Sequence, residues 1–301
     1  MTSRARRQSA LRWRAVPIDT ADHRARGHPP MPARGLARSI GLARVFRLEQ
    51  SDPDTFYRSV ARDTTAQIGE YTELAGKTVL DIGGGGGFFT EAFTEAGARS
   101  VLVEPEALSE RSFVPEDPEH PTQPERHRLA VQPGRRAPGT TVAADGYRLP
   151  FADGVADLTF SSNVLEHVAN PKALVTEMIR VTRPGGLLYV SFTAWYSPWG
   201  GHETSPWHYL GAERAARRYE AKVGRPPKNR YGISLFACHV GAMLRMMRGF
   251  SDRVVILDAL PRYYPRWMRW VVAVPGVREL LTWNLLVVMR RRPEHLEPLV
   301  P

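Results

Sequence analysis

The chain lacks the residues and segments that would tie it together covalently or anchor it in a membrane. Its 301 residues include one cysteine, Cys238, so no disulfide framework can form within it. No run approaches about 18 apolar residues, and the first residues lack the apolar stretch of a secretory signal. These absences predict a cytoplasmic protein that is soluble or, at most, peripheral at the inner face of the membrane.

Lysine is also scarce, whereas arginine is abundant and unevenly distributed. Four lysines stand against 37 arginines, and the net charge is +10. Residues 1–44 carry ten arginines, and residues 213–230 hold seven basic residues. The first segment is either a basic arm for nucleic acid or anionic lipid, or a disordered leader. Because arginine dominates throughout the chain, we predict a disordered Arg-rich leader over residues 1–45 and no nucleic-acid partner.

The hydrophobic pattern after residue 46 predicts strands that alternate with helices, which is typical of a parallel, doubly wound α/β sheet. The predicted strands cover residues 78–82, 100–103, 140–144, 155–161, 187–193, 252–258 and 283–289. The predicted helices cover residues 54–74, 87–96, 171–182 and 236–248. Two segments interrupt the alternation: a proline-rich loop over 105–138, and an insertion over 194–235 that is rich in aromatic residues and histidine. One folded domain over 46–301 is therefore expected.

Five consecutive glycines, residues 83–87, separate the first strand from the helix after it. A dinucleotide fingerprint needs glycine at positions i, i+2 and i+5, and from Gly83 the last of these is Phe88. No Gly-Lys-Ser/Thr follows, so a P-loop is excluded. What fits is Asp81 followed by Gly83, Gly85 and Gly87. Such a loop lets the backbone approach a nucleotide-type ligand and does not require a phosphate.

Further polar residues follow the next three strands, at the edge where ligands of open α/β sheets bind. Glu104 follows the second strand, where a carboxylate can accept hydrogen bonds from both ribose hydroxyls. Asp145 follows the third strand and can accept from an adenine amino group. The predicted binding residues are Asp81, Gly83, Gly85, Gly87, Glu104, Asp145, Gly146, Ser162 and Asn163.

These motifs together resemble a known enzyme family over roughly residues 50–195. They are Val79–Gly87, Glu104-Pro105, Leu149–Asp153, Asn163–Val168 and Arg183–Gly186. They resemble the class I S-adenosylmethionine-dependent methyltransferases of the Methyltransf_11, menaquinone-biosynthesis-like type. The resemblance implies S-adenosylmethionine as cofactor, and a Rossmann-like sheet of seven strands, mostly parallel with an antiparallel last strand. Residues 200–211 and 227–236 are similar to a narrower bacterial subgroup, while the proline-rich stretch departs from the family's usual helix.

Methyl transfer to a poor nucleophile such as a hydroxyl group needs a base. The candidates are His167, His202, Glu203 and His208. His167 lies in a Leu-Glu-His-Val turn, where positioning the turn by hydrogen bonds is an alternative role. The aromatic residues around His202 and Glu203 suit a ring-containing acceptor, and a self-packed lid explains them equally well. His202 and His208 could ligate a metal, but no third ligand can be placed, and no metal is predicted.

The resemblance implies methyl transfer, and the candidate bases with the aromatic insertion predict a small-molecule or lipid-linked acceptor, methylated at a hydroxyl oxygen of a sugar or ring compound. Carbon methylation of a quinone-type ring, an RNA-modifying protein, and a methyltransferase fold without turnover are the alternatives. Residues 262–281 mix tryptophan, tyrosine and arginine, as interfacial anchors do. The segment predicts a peripheral membrane contact, although packing on the sheet explains it as well.

Overall fold

The computed structural model describes residues 35–49, 51–105 and 140–293. Its centre is a seven-stranded sheet with the order β3-β2-β1-β4-β5-β7-β6. The strands are β1 (Thr78–Ile82), β2 (Arg99–Val103), β3 (Thr140–Val142), β4 (Ala156–Ser162), β5 (Thr182–Thr193), β6 (Val254–Pro261) and β7 (Asn284–Arg291). Strands β1 to β5 run parallel to one another, and β7 is antiparallel to both β5 and β6. The predicted mixed sheet is confirmed.

Helices cover both faces of this sheet. They are α1 (Gly35–Val45), α2 (Pro53–Ile68), α3 (Phe88–Glu95), α4 (Pro171–Val181), α5 (Ala212–Val223), α6 (Val240–Arg248), α7 (Trp270–Ala273) and α8 (Val277–Leu281). Buried apolar residues of α4 and α6 form a core on one face, and those of α2 and α3 contribute to a core on the other. Within the described part of the chain, no helix is long and apolar enough to cross a membrane. The sheet is doubly wound, so the carboxyl ends of its parallel strands remain for a ligand.

The predicted helix ends are right to within a few residues at α3 and α4, but two boundaries are wrong. The segment 183–186 was expected to separate α4 from a strand, yet β5 begins at Thr182, directly after the helix. Thr182 pairs with Ala156, and regular pairing resumes at Leu187 after an irregularity that contains Gly185 at φ +75°. The Pro-Gly-Gly sequence therefore forms a bulge inside the strand rather than a break before it. Helix α2 ends at Ile68, six residues before the predicted end at 74.

The predicted disordered leader over 1–45 is also wrong in its last part, because residues 35–45 form α1. Arg38 of this helix is buried, and its guanidinium donates to both carboxylate oxygens of Asp63 at 2.7 and 2.6 Å. It also donates to the backbone carbonyl of Arg262. These partners are distant in sequence, so a local arginine-rich pattern does not reveal them. Residues 1–34 lie outside the described residues, as do 106–139, which include nearly all of the predicted proline-rich loop.

Candidate active site

The glycine loop after β1 adopts a backbone that other residues resist. Gly83, Gly85 and Gly87 have φ values of +73°, +51° and +72°, in the left-handed region. A Cβ atom on Gly83 would lie 2.6 Å from a methyl group of Val164, and one on Gly84 would clash with the carboxylate of Asp81. The close packing of this loop against the turn after β4 explains why glycine is needed here. It leaves a bare backbone at the start of α3.

Asp81 is buried at the end of β1, beneath the glycine loop. Its Oδ2 accepts a hydrogen bond from Thr90 Oγ1 at 2.6 Å, and its Oδ1 has no partner among the described residues. Burial raises the pKa of this carboxyl from 3.8 to about 7, because the charged form loses its hydration. A cationic group placed beside Oδ1 would favour ionisation.

This raised pKa predicts a pH-dependent stability in the ligand-free protein. The unfolded carboxyl ionises above about pH 4, whereas the folded one keeps its proton up to about pH 7. The protonated Asp81 carboxyl therefore contributes its full stability below the unfolded pKa. This contribution is lost as pH rises from about 4 to about 7. We expect an Asp81→Asn variant to gain stability relative to wild type between pH 5 and 7, by roughly 1.4 kcal/mol per pH unit. Urea unfolding at several pH values measures this gain, and parallel curves for the two proteins would contradict it.

Glu104 lies at the end of β2 and reaches back to the glycine loop. Its Oε2 accepts a hydrogen bond from the backbone N–H of Gly85 at 2.9 Å, and the residue is buried. Asp145 is exposed after β3 and accepts from the N–H of Tyr147 at 2.9 Å. The α-carbon of Gly146 faces Leu174 of α4 so closely that a Cβ would lie 2.6 Å from it. The predicted acids thus follow β1, β2 and β3, adjacent strands of the sheet.

Ser162 and Asn163 end β4 and are held by residues that the sequence did not reveal as part of the site. Ser162 Oγ accepts from the guanidinium of Arg262 at 2.6 Å, and Asn163 Oδ1 accepts from Asn284 Nδ2 at 2.7 Å. Arg262 belongs to the segment predicted to lie at a membrane surface, but it is fully buried. The sequence signal that could have indicated its burial is its position directly after an apolar strand, in Pro-Arg-Tyr.

Three titratable side chains meet beside the carboxyl ends of β4 and β5. Glu166 and His167 form a short 3-10 turn after β4, and His202 begins another in the insertion. One potential ligand atom from each lies within 4.8 Å of the others. The two imidazole rings are 4.9 Å apart, edge to face at 83°. The fold therefore supplies a cluster that the sequence could not assemble.

Backbone groups orient the carboxylate and the first histidine of this cluster. Glu166 Oε1 accepts from the N–H of Thr193, at the end of β5, at 2.9 Å. His167 Nδ1 lies 2.8 Å from the carbonyl oxygen of Ser234, so this nitrogen carries the proton and donates. Glu166 Oε2 and His202 Nδ1 are buried and have no hydrogen-bond partner within the described segments.

The electrostatics of the cluster follow from this burial. Burial, and secondarily the adjacent His167, lower the pKa of His202 to about 3, so its imidazole is neutral at pH 7. Burial raises the pKa of Glu166. Across the described ranges, no lysine or arginine forms an ion pair with Glu166. The cluster thus offers lone pairs without a positive charge to match them.

The other two predicted bases point to different partners. Glu203 Oε2 accepts from Asn229 Nδ2 at 2.9 Å. His208 is buried, with Nε2 3.0 Å from the carbonyl oxygen of Trp195 and Nδ1 3.4 Å from Ser205 Oγ. The structure therefore joins His167 to His202, and gives Glu203 and His208 hydrogen bonds within the insertion.

Aromatic side chains of the insertion remain accessible to a ligand. Those that are exposed are Tyr196, Trp199, Trp207, Tyr209 and Tyr231. Trp195 is more enclosed and contacts the rings of His208 and Tyr231, both at 5.1 Å between centroids. Some of these aromatic side chains thus pack within the insertion, and others are exposed at positions close to His202 in the sequence.

Comparisons with known proteins show the family to which this fold belongs. Residues 80–190 match the family model Methyltransf_11, described as a methyltransferase domain. A protein of Mycolicibacterium vanbaalenii named "Uncharacterized methyltransferase" is 48% identical over 261 residues, covering 85% of this chain and 94% of that protein. One of Mycobacterium tuberculosis with the same name is 45% identical over 260 residues, covering 84% and 94%.

Among solved structures, an S-adenosylmethionine-dependent methyltransferase from Mesorhizobium loti covers 77% of this chain and 98% of its own. Its identity is 18% and its TM-score is 0.46, a likeness too weak to carry an inference. The family match and the curated relatives are sufficient, because the family model covers the glycine loop and the two relatives cover 85% and 84% of the chain. The chain belongs to the Methyltransf_11 family of methyltransferases and uses S-adenosylmethionine as its methyl donor.

Proposed function

We propose that this enzyme methylates a hydroxyl oxygen of a ring-containing acceptor, either a small molecule such as a sugar or a lipid-linked compound. The observation that carries the proposal is a pair of buried atoms, Glu166 Oε2 and His202 Nδ1, that have no hydrogen-bond partner in the described part of the chain. Either atom can accept a hydrogen bond, His202 Nδ1 in the tautomer whose proton is on Nε2, and a hydroxyl group supplies one donor. Leaving such atoms unpaired costs about 1–3 kcal/mol each, so the acceptor's hydroxyl stabilises the cluster as it binds.

The donor side of the proposed reaction uses the residues after the first four strands. S-adenosylmethionine supplies a methyl group on a sulfonium that is already activated. Asp81 Oδ1 suits its ammonium group, and Glu104 suits the ribose hydroxyls. The glycines 83, 85 and 87 would admit its amino-acid end, Asp145 and Gly146 would contact the adenine, and Ser162 and Asn163 would hold the end near the sulfonium. The chain's remaining tasks are to orient the acceptor, exclude water and remove one proton.

The rings of the insertion support an acceptor that contains a ring. Tyr196, Trp199 and Tyr209 are each about two-fifths exposed or more, beside the residues that hold His202. Aromatic faces bind sugars and other rings by stacking, and they exclude water from the reacting atoms. The insertion therefore has two proposed roles: it binds the acceptor's ring and it excludes water from the reacting atoms.

Exposed apolar side chains in residues 262–281 support the proposal of a lipid-linked acceptor. Trp267 is 67% exposed and Leu280 is 61% exposed, and Trp270 and Leu281 are also exposed. Exposed tryptophan and leucine in short helices suit the headgroup region of a bilayer. A peripheral membrane contact through this segment would bring a lipid-linked acceptor to the insertion.

Labelled S-adenosylmethionine, incubated with polar and lipid fractions of a cell extract, tests the proposal. We expect wild type to label a compound whose methyl group is an ether by NMR. His202→Ala should lower the transfer rate at least about a hundredfold, while calorimetry shows unchanged affinity for S-adenosylhomocysteine. Asp252→Ala changes an exposed residue between α6 and β6, and this control variant should keep its rate. A carbon-bound methyl group in the product, or full turnover by His202→Ala, would refute the proposal.

A further inference from the structure

We propose that Glu166, His167 and His202 bind one divalent transition-metal ion, which in turn holds the acceptor's oxygen. The binding of the ion stands on the geometry of these three residues alone. Its role towards the acceptor rests on the proposed function.

The three side chains are close enough to share an ion. Their potential ligand atoms lie within 4.8 Å of one another. Around an ion with bonds of about 2.1 Å, ligand atoms stand roughly 3–4 Å apart. Small rotations of the Glu166 and His202 side chains therefore bring the set to bonding distance. Among the described residues, Glu166 Oε2 and His202 Nδ1 make no hydrogen bond that such a rotation would break.

Backbone groups form hydrogen bonds with the candidate ligands His167 and Glu166, as the outer partners of metal ligands do. His167 donates from Nδ1 to the carbonyl of Ser234, which leaves the lone pair of Nε2 for an ion. Glu166 is fixed through Oε1 by the N–H of Thr193, and its own carbonyl accepts from the N–H of Phe236. The turn after β4, the end of β5 and the end of the insertion thus hold the site together.

The ligand set indicates which ions fit. Two imidazoles and one carboxylate suit zinc, iron, cobalt or manganese, whereas magnesium and calcium prefer oxygen ligands. Three protein ligands leave at least one coordination position open, as in catalytic zinc sites. His202 is only partly buried, whereas Glu166 and His167 are buried, so the side of the insertion is the less enclosed side of the cluster.

An ion in this position changes how the acceptor loses its proton. A divalent cation lowers the pKa of an oxygen that it binds, so a hydroxyl group releases its proton to water near neutral pH. The ion also supplies the positive charge that the described surroundings of Glu166 lack. The cluster then acts by holding an ion, and none of its members needs to take up the proton itself.

Cobalt(II) binding to the chelator-treated, full-length protein tests the site without any turnover. We expect one equivalent to bind, with visible absorption of low-symmetry cobalt and a raised thermal midpoint. Zinc should displace it, and magnesium at the same concentration should not. His202→Ala and Glu166→Gln should each weaken binding at least about a hundredfold, because loss of even an outer partner costs ten- to a hundredfold. Cys238→Ser, whose thiol lies near Glu166, and His239→Ala, which removes the next histidine along the chain, should bind cobalt as wild type does.

Absence of stoichiometric binding of cobalt, zinc and manganese would overturn the inference, as would equal binding by wild type, His202→Ala and Glu166→Gln. Loss of binding in Cys238→Ser would move the site to the thiol and overturn it as well. Full transfer by metal-free enzyme would overturn the ion's role and leave the proposed hydroxyl methylation intact. Tight binding of cobalt by an enzyme that methylates carbon would refute the proposed function and leave the metal site standing.

Discussion

A Glu104→Ala variant of this methyltransferase is expected to bind S-adenosylhomocysteine at least a hundredfold more weakly than wild type. Glu104 is buried at the end of β2 and accepts from the N–H of Gly85 at 2.9 Å, which ties the glycine loop to the second strand. The substitution removes that bond and the proposed bonds to the ribose. Hydrogen bonds to a charged group contribute about 1.5–3 kcal/mol each, and about 1.4 kcal/mol is tenfold in affinity.

Calorimetric titration measures this loss, and two further variants make it specific. Glu104→Gln keeps an oxygen that can accept from Gly85 but removes the charge, so its affinity should fall between those of wild type and Glu104→Ala. Glu95→Ala changes an exposed acid on α3 and should bind as wild type does. Thermal midpoints near wild type would show that the variants fold. Unchanged affinity in Glu104→Ala would remove this residue from the proposed cofactor site.

The parts of the site that follow strands could be predicted because their signals are local. An apolar strand, an acid and alternate glycines specify both the turn at Gly83 and its position at the carboxyl edge of the sheet. Glu104 was predicted in the same way, from its place directly after the second apolar strand. The alternation of strands and helices gave the sheet for the same reason, since each element carries its own periodicity.

The cluster of Glu166, His167 and His202 could not be predicted, because it depends on where the insertion returns to the sheet. His202 is 35 residues beyond His167 along the chain, and the contact between their rings is made by packing after β5. The sequence analysis paired His202 with its neighbour Glu203, whereas in the 3-10 turn Glu203 accepts a hydrogen bond from Asn229 instead. Adjacent residues in a tight turn point in different directions, so adjacency was a poor guide to the partner.

Burial of arginine was equally hidden in a chain with 37 of them. Arg38 lies in an arginine-rich stretch whose composition predicts exposure to solvent, and its burial requires Asp63 from another helix. Arg262 reads as part of a surface segment, and its burial requires hydroxyl groups from three other elements. Both depend on tertiary partners, which composition does not record.

Replacing Arg262 by alanine is expected to lower the stability of the protein by about 4 kcal/mol or more. Its guanidinium donates to Ser162 Oγ at 2.6 Å, Ser191 Oγ at 2.8 Å and Thr64 Oγ1 at 2.8 Å. It also lies over the ring of Tyr189, 5.6 Å from its centroid. Three bonds to a charged donor, at about 1.5 kcal/mol or more each, account for the loss before any cavity is counted.

Thermal and urea unfolding measure this effect, and the alanine variant should unfold about 10 °C below wild type, from roughly 2–4 °C per kcal/mol for a chain of this size. Arg262→Met fills much of the same volume without the charge, so it should recover the cavity part of the loss and keep the hydrogen-bond part. Arg217→Ala, at an exposed position on α5, should unfold within about 2 °C of wild type. A methionine variant as stable as wild type would mean that the hydroxyls of α2, β4 and β5 do not need a buried cation to hold them together. Arg262 would then contribute by volume alone.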